Sequence, residues 1–219
     1  MPRSAEHART MLMDSAEELW AVDGIDAVSS RRIVEHAGLS NHSAVAYHFG
    51  TRDDLLKVLL QRHAREMSAR QSELVAALTA EPGLHDILRC RLLPFFELLD
   101  SLPRPSWRAR FLSQMAGTPS TAALIREHVE ANRAGAGGLV PALRAEGVPD
   151  SIMRARSSIV GHLVLGVCAD NERRIDLGTR TANWVEVGGF LIDAAAGMLM
   201  APVTDPSTGQ GVPESPALL

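Results

Sequence analysis

The sequence predicts an all-α fold. Apolar residues recur at spacings of three and four along nearly every segment, no run alternates long enough to be a strand, and Ser, Thr, Gly and Pro fall where helices start and stop. At 219 residues and 46% hydrophobic content, the chain can fill one full-sized domain or a small domain beside a larger one. Disorder throughout is excluded.

Ser4 is placed to cap a first helix with Ala8, Met11, Leu12, Ala16 and Leu19 on one stripe, stopping at Gly24, where a left-handed residue is needed. Ser29 caps a short second helix, "SRRIVEHA", with Ile33, Val34 and Ala37 inward and Gly38 as its stop. "GLSNH" is a turn. A third helix spans Ser43 to Phe49, and Thr51 caps a long fourth helix that runs through Leu78 toward Pro82. Further helices are expected near 84–101 with a bend at Pro94, 105–116, 119–146 with a weak point at "GAGG", 149–173 and 181–200. The tail over 202–219, rich in Pro, Ser, Gly and Thr, is expected to be disordered.

Composition narrows the class. Two well-separated cysteines, Cys90 and Cys168, support neither a disulfide framework nor a thiolate metal site, and point to buried thiols in a reducing compartment. The start, "MPRSAEHART", has no apolar run behind it, and the longest apolar stretches, interrupted by His162 and Asp193, read as too short for a bilayer span. A cytoplasmic protein with no membrane partner is expected. The formal charge of −4 argues against indiscriminate binding to nucleic acid, and between residues 1 and 55 five arginines face nine carboxylates. It leaves room for a local patch.

Two short helices joined by a tight turn, the second with a polar outer face, form a helix-turn-helix pattern. At about 100° per residue, Val45 and Phe49 point one way and lock the helix to its neighbours, which turns Ser43, Ala44 and Tyr47 outward with Ala46 and His48 at the flanks. In such a motif the start of the second helix meets base edges in the major groove, and phosphate contacts set its register.

The stretch "RTMLMDSAEELWAVDGIDAVSSRRIVEHAGLSNHSAVAYHFGTRDDLL", residues 9–56, resembles the N-terminal DNA-binding domain of the TetR family of bacterial transcriptional regulators. The likeness rests on the helix-one pattern ending at Gly24, the Ser29 cap, Ile33, the Ala37–Gly38 pair, "YHFG" at 47–50, and "TRDDLL" where the family usually has Ser-Lys-Glu-x-Leu-Leu. The interval from Gly38 to Phe49 is one residue longer than the commonest form and matches a subset with Asn-x-Ser-Ala-Val-x-Tyr-His-Phe-Gly. Which of Asn41, His42 and Ser43 occupies the first helical turn stays open.

The resemblance implies phosphate contacts from Ser29 and Arg31, from Tyr47 and His48, and from Thr51 and Arg52, with Asn41, His42, Ser43 and Ala44 near the bases. It implies a DNA-binding domain over 1–52, a helical regulatory and dimerisation domain over 53–201, and a helix from 52 to about 80 that connects them. The function implied is a sequence-specific regulator, a repressor that works as a homodimer on operator DNA, answers to a small-molecule effector, and needs neither cofactor nor metal. A dimer contact fits Ile159, Leu163 and Val167 on one late helix and Val187, Phe190, Leu191, Ala194 and Met198 on the last. A ligand cavity fits the aromatic cluster of Phe95, Phe96, Trp107 and Phe111 with Met115, Arg91, His128 and His162.

An all-helical enzyme or metal protein is the alternative, resting on "LHD" at 84–86, "REHVE" at 126–130, and Cys168 near Asp170. No nucleophile–base motif or Gly-rich phosphate loop accompanies them, so no enzymatic activity is expected.

Overall fold

The computed structural model describes residues 2–132, 148–181 and 183–205. The described part is helical: α1 (Pro2–Asp23), α2 (Ser30–His36), α3 (Ala44–Phe49), α4 (Arg52–Ala76), α5 (Leu84–Ser101), α6 (Arg108–Gly117), a 3-10 turn (Pro119–Thr121), α7 (Ala122–Asn132), α8 (Asp150–Asp176) and α9 (Trp184–Met200). The first helix begins ahead of Ser4, so Ser4 is not its cap. Helix α4 stops two residues short of Leu78, and α6 starts three residues later than expected, just past Pro103 and Pro105. The "GAGG" stretch and residues 206–219 of the tail lie outside the described residues.

Local chemistry accounts for the boundaries. Gly24, Gly38 and Gly50 all have positive φ, as the chain reversals after α1, α2 and α3 require. Ser29 Oγ accepts the Arg32 N–H at 3.2 Å. Thr51 and Asp54 close a reciprocal capping box, with Thr51 Oγ1 accepting the Asp54 N–H at 3.1 Å and Asp54 Oδ2 accepting the Thr51 N–H at 3.0 Å. The start of α6 is capped from a distance: the Glu172 carboxylate on α8 accepts the Arg110 N–H at 2.9 Å and the Ser106 hydroxyl at 2.7 Å.

Helices α1, α2 and α3 pack with the first turns of α4 around Leu12, Ala16, Trp20, Ile33, Val34, Val45, Leu55 and Leu56. The body follows, with α9 lying on α5 and α6 lying on α8. The first of these contacts is close because Gly188 has no side chain; a Cβ there would sit 2.7 Å from the Phe96 ring. By length and composition α8 would suffice to cross a membrane, contrary to the expectation that no apolar stretch is long enough. Half of its apolar window is buried inside the body, and it carries Asn171 and Glu172 in the core. It packs as a core helix.

A buried ionic cluster ties the N-terminal helices to this body. Arg108 on α6 donates to Glu17 on α1 at 2.6 Å and to Glu66 on α4 at 2.7 Å. Arg62 on α4 also bonds Glu17, and reaches Asp14 at 2.7 Å. His63 Nε2 sits 3.3 Å from Glu17, its ring edge-on to Phe111. Burial alone would push the Glu17 carboxyl up, but His63 and the guanidinium groups of Arg108 and Arg62 outweigh it and hold the carboxylate well below its usual range.

Burial pushes the His63 imidazole down to about 4, an effect that Glu17 offsets only in part. The folded chain therefore keeps His63 neutral where the unfolded chain, titrating near the ordinary value of about 6.5, takes up a proton. Proton uptake by the unfolded state makes stability fall as pH is lowered from about 6.5 towards 4. Urea midpoints measured at about pH 7 and about pH 5 should show this fall, and His63→Gln should flatten it whatever it does to absolute stability. An unaltered slope in the variant would assign the pH dependence to other groups.

Candidate DNA-binding face

The turn before α3 is organised by Asn41. Its Oδ1 accepts the Ser43 N–H at 3.0 Å and its carbonyl accepts the Ala44 N–H at 2.9 Å. Helix α3 therefore starts at Ala44, with Ser43 as the flanking residue and neither Asn41 nor His42 inside the first turn. All three side chains are exposed.

The inward arc of α3 is wider than the spacing of Val45 and Phe49 suggests. Ala44 is only 4% exposed and Val45 2%, with His48 and Phe49 half-buried, because α3 is wedged against both α2 and α4. Ala44 is thus a core residue, and its expected outward position is corrected. The outward arc is Ser43, Ala46 and Tyr47, of which Tyr47 is 78% exposed with its ring edge-on to His48 at 4.9 Å.

Arg9 is the residue that sequence patterning missed. From α1 it donates to the His48 carbonyl at 2.9 Å, and its guanidinium lies 4.5 Å from the centre of the Phe49 ring. It clamps the C-terminal end of α3. No spacing rule in the sequence marks it, since the pairing spans 39 residues.

The remaining candidates divide by what already holds them. Arg31 is exposed and pairs with Glu35 at 2.8 Å, an i,i+4 contact of little worth that a phosphate can replace. The Glu35 carboxyl is lowered first by this hydrogen bond and further by the charge of Arg31. Ser29 and Thr51 both serve as caps, exposed at the starts of α2 and α4. The α2 start has no acidic residue in its first turn, whereas Asp53 and Asp54 crowd the start of α4 and oppose an anion there. Arg52 is turned inward: it donates to the Ile25 carbonyl, with its guanidinium 5.6 Å from the Trp20 ring. Its expected phosphate contact is corrected to an internal tie between α4 and the end of α1.

The aromatic ligand set is divided between different packing neighbours. Phe95 and Phe96 are fully buried 5.9 Å apart, and Phe96 packs under Gly188 of α9. Phe111 and Met115 are also fully buried, with Phe111 stacked on Trp20 at 6.0 Å. These four are core residues, and they pack on different helices. Trp107 lies under Arg110 at 4.3 Å, Arg91 is half-buried, and His162 Nδ1 sits 2.9 Å from the Ser158 carbonyl. His128 lines a cleft between α4 and α7.

Among the expected interface residues, Ile159, Leu163 and Val167 on α8 are 46%, 39% and 41% exposed, and Phe190 on α9 is 71% exposed. Ala194 is exposed, and Val187 and Met198 are half-buried. Leu191 is 1% exposed, on the inward stripe of α9 with Trp184, Gly188 and Ala195, and is corrected to the core. The groups behind the enzyme alternative are engaged otherwise: His85 meets Asp193 at 2.6 Å, Glu127 meets Lys57 at 2.8 Å, Asp170 pairs with Arg174 at 2.7 Å, and Cys168 is buried.

An exposed second helix, set by a capped short helix and a turn on a small helical bundle, defines a helix-turn-helix DNA-binding domain. Residues 12–59 match the model of the family described as bacterial regulatory proteins, tetR family. That stretch of the chain, residues 12–59, is a DNA-binding domain of the TetR type. Its fold is similar to the crystal structure of a protein from Rhodococcus sp. described as a TetR-family transcriptional regulator, at a TM-score of 0.53 and 17% identity, covering 89% of this chain and 99% of that one. No curated protein matches the sequence.

Replacing Arg52 by Gln removes a charged hydrogen bond from a half-buried carbonyl and should lower stability by about 2 kcal/mol. Urea unfolding measures it. An unchanged midpoint together with weakened DNA binding would return Arg52 to the phosphate contacts.

Proposed function

We propose that the protein is a ligand-responsive repressor that acts in the cytoplasm as a homodimer on operator DNA, with residues 1–52 as the DNA-binding unit and 53–201 as the regulatory and dimerisation unit. The observation that carries the DNA reading is Tyr47, almost fully exposed on the outward arc of α3 beside His48, with Asn41, His42 and Ser43 exposed in the turn before it. Tyr47 and His48 reach phosphates, as do Arg31 and Ser29 from α2. The turn residues approach base edges, and Asn41, whose side-chain amide nitrogen lies outside its turn hydrogen bond, has the donor–acceptor pair that suits adenine.

Dimerisation is supported by the apolar stripe of Ile159, Leu163 and Val167 beside the outward Phe190. Burying one such side chain is worth about 1.5–3 kcal/mol, enough in sum for a stable contact. A two-fold dimer presents two recognition helices to successive major grooves, which one short helix alone cannot read. Release from DNA follows from an effector that binds one arrangement of the two units better than the other.

Tyr47→Ala should weaken binding about tenfold across DNA sequences in a gel-shift assay, on DNA selected from a random pool; unchanged affinity would remove Tyr47 from the contacts. Phe190→Glu should convert the protein to a monomer in sedimentation analysis. A dimer that survives this change would move the interface off α9.

A further inference from the structure

The cleft between α4 and α7, about 300 Å³ in volume, is used neither by the DNA-facing helices nor by the exposed apolar stripe. Its α4 wall is one stripe, Lys57, Gln61, Arg65 and Ser68, at spacings of four, four and three. At about 1.5 Å per residue this stripe is about 16 Å long. The α7 wall supplies Leu124, Glu127 and His128.

Charge along the cleft is uneven. At one end Lys57 is matched by Glu127, with Nζ 2.8 Å from one carboxylate oxygen and 3.1 Å from the other. Two turns further along α4, the guanidinium of Arg65 has no ion-pair or hydrogen-bond partner among the described residues. Its backbone carbonyl accepts the Ser68 hydroxyl at 2.8 Å. Burial pushes the half-buried His128 below the ordinary imidazole value, which leaves the ring neutral at neutral pH. Among the described residues the cleft thus carries one unmatched positive charge, presented as a planar fork, beside the apolar surface of Leu124 and Ala64.

We propose that this cleft binds a small amphipathic monocarboxylate, its carboxylate paired with Arg65 and held by Gln61, its apolar part against Leu124 and Ala64. A bidentate guanidinium–carboxylate pair matches the fork. A dianion would leave a charge unmatched next to Glu127, and a neutral apolar molecule would leave Arg65 unanswered. The effect on DNA rests on the ligand-responsive reading above: Lys57 lies near the start of α4, directly after the DNA-facing helices, so a ligand that spreads α4 from α7 pulls on the Lys57–Glu127 pair.

The test is calorimetric titration of the full-length protein with benzoate, using benzamide as its uncharged counterpart. Saturable one-to-one benzoate binding is expected, at least about tenfold tighter than benzamide, and Arg65→Gln should weaken it at least about tenfold without shifting the melting temperature. Lys57 is the only lysine of the chain, so acylation read by mass spectrometry reports its ε-amine directly, and benzoate should raise its reactivity as the ion pair loosens. Absence of benzoate binding in the millimolar range, equal affinity for benzamide, or indifference to Arg65→Gln overturns the proposal. Benzoate held through Arg65 with no change in affinity for pool-selected DNA supports the site and counts against the ligand-responsive reading instead.

Discussion

Glu17 carries a carboxylate into the place where α1, α4 and α6 meet, and three cationic or potentially cationic side chains close around it. Arg108 is 4% exposed, so neither it nor Glu17 can fall back on water if the other is lost. A buried charge without its partner costs several kcal/mol, which makes this contact close to all-or-none. Because α1 belongs to the DNA-facing bundle and α6 to the body, the cluster fixes how the two meet. Any change in the set of α6 is felt at α1 through a directional ionic contact as well as through the apolar packing of Phe111 on Trp20.

The DNA-facing bundle likewise engages its arginines with its own groups. Arg9 clamps the end of α3, Arg32 meets Asp23 at 2.7 Å, Arg52 ties down Ile25, and Arg31 is held loosely by Glu35. An acidic domain that spends its cations on internal geometry has little long-range attraction for a phosphate backbone. On the proposed reading, affinity then depends on close fit, through short polar groups on α3 and its preceding turn and through the start of α2. Small side chains at Ser43 and Ala46 leave room for that approach, and the bundle holds α3 rigidly enough for it to count.

The surface of the body is divided between two kinds of unmet chemistry. Along α8 and α9 the exposed groups include the apolar Ile159, Leu163, Val167 and Phe190, which call for another apolar surface. Along α4 and α7 the cleft holds Arg65 beside a small apolar wall, which on the reading proposed above suits an anion of limited size. Helix α4 borders the second region and begins at the DNA-facing bundle, so it is the element through which the two can communicate.

Periodicity and punctuation determined the helices, because helix stripes and caps are local: Ser29 and Thr51 bond three residues ahead, and Gly24, Gly38 and Gly50 reverse the chain where only positive φ will do. The same local rules made "NHSAVAYHFG" legible as a turn and a docked helix. They could not decide how wide an arc a six-residue helix buries, since that depends on how many neighbours it touches, and so Ala44 went inward and Arg52 left the outer face. Arg9 on His48, Glu17 with Arg108, and the separation of Phe95–Phe96 from Phe111 all join residues far apart in the chain or split residues close in it. Only the tertiary structure settled these, because charge pairing and core membership are properties of the spatial neighbourhood rather than of the spacing along the chain.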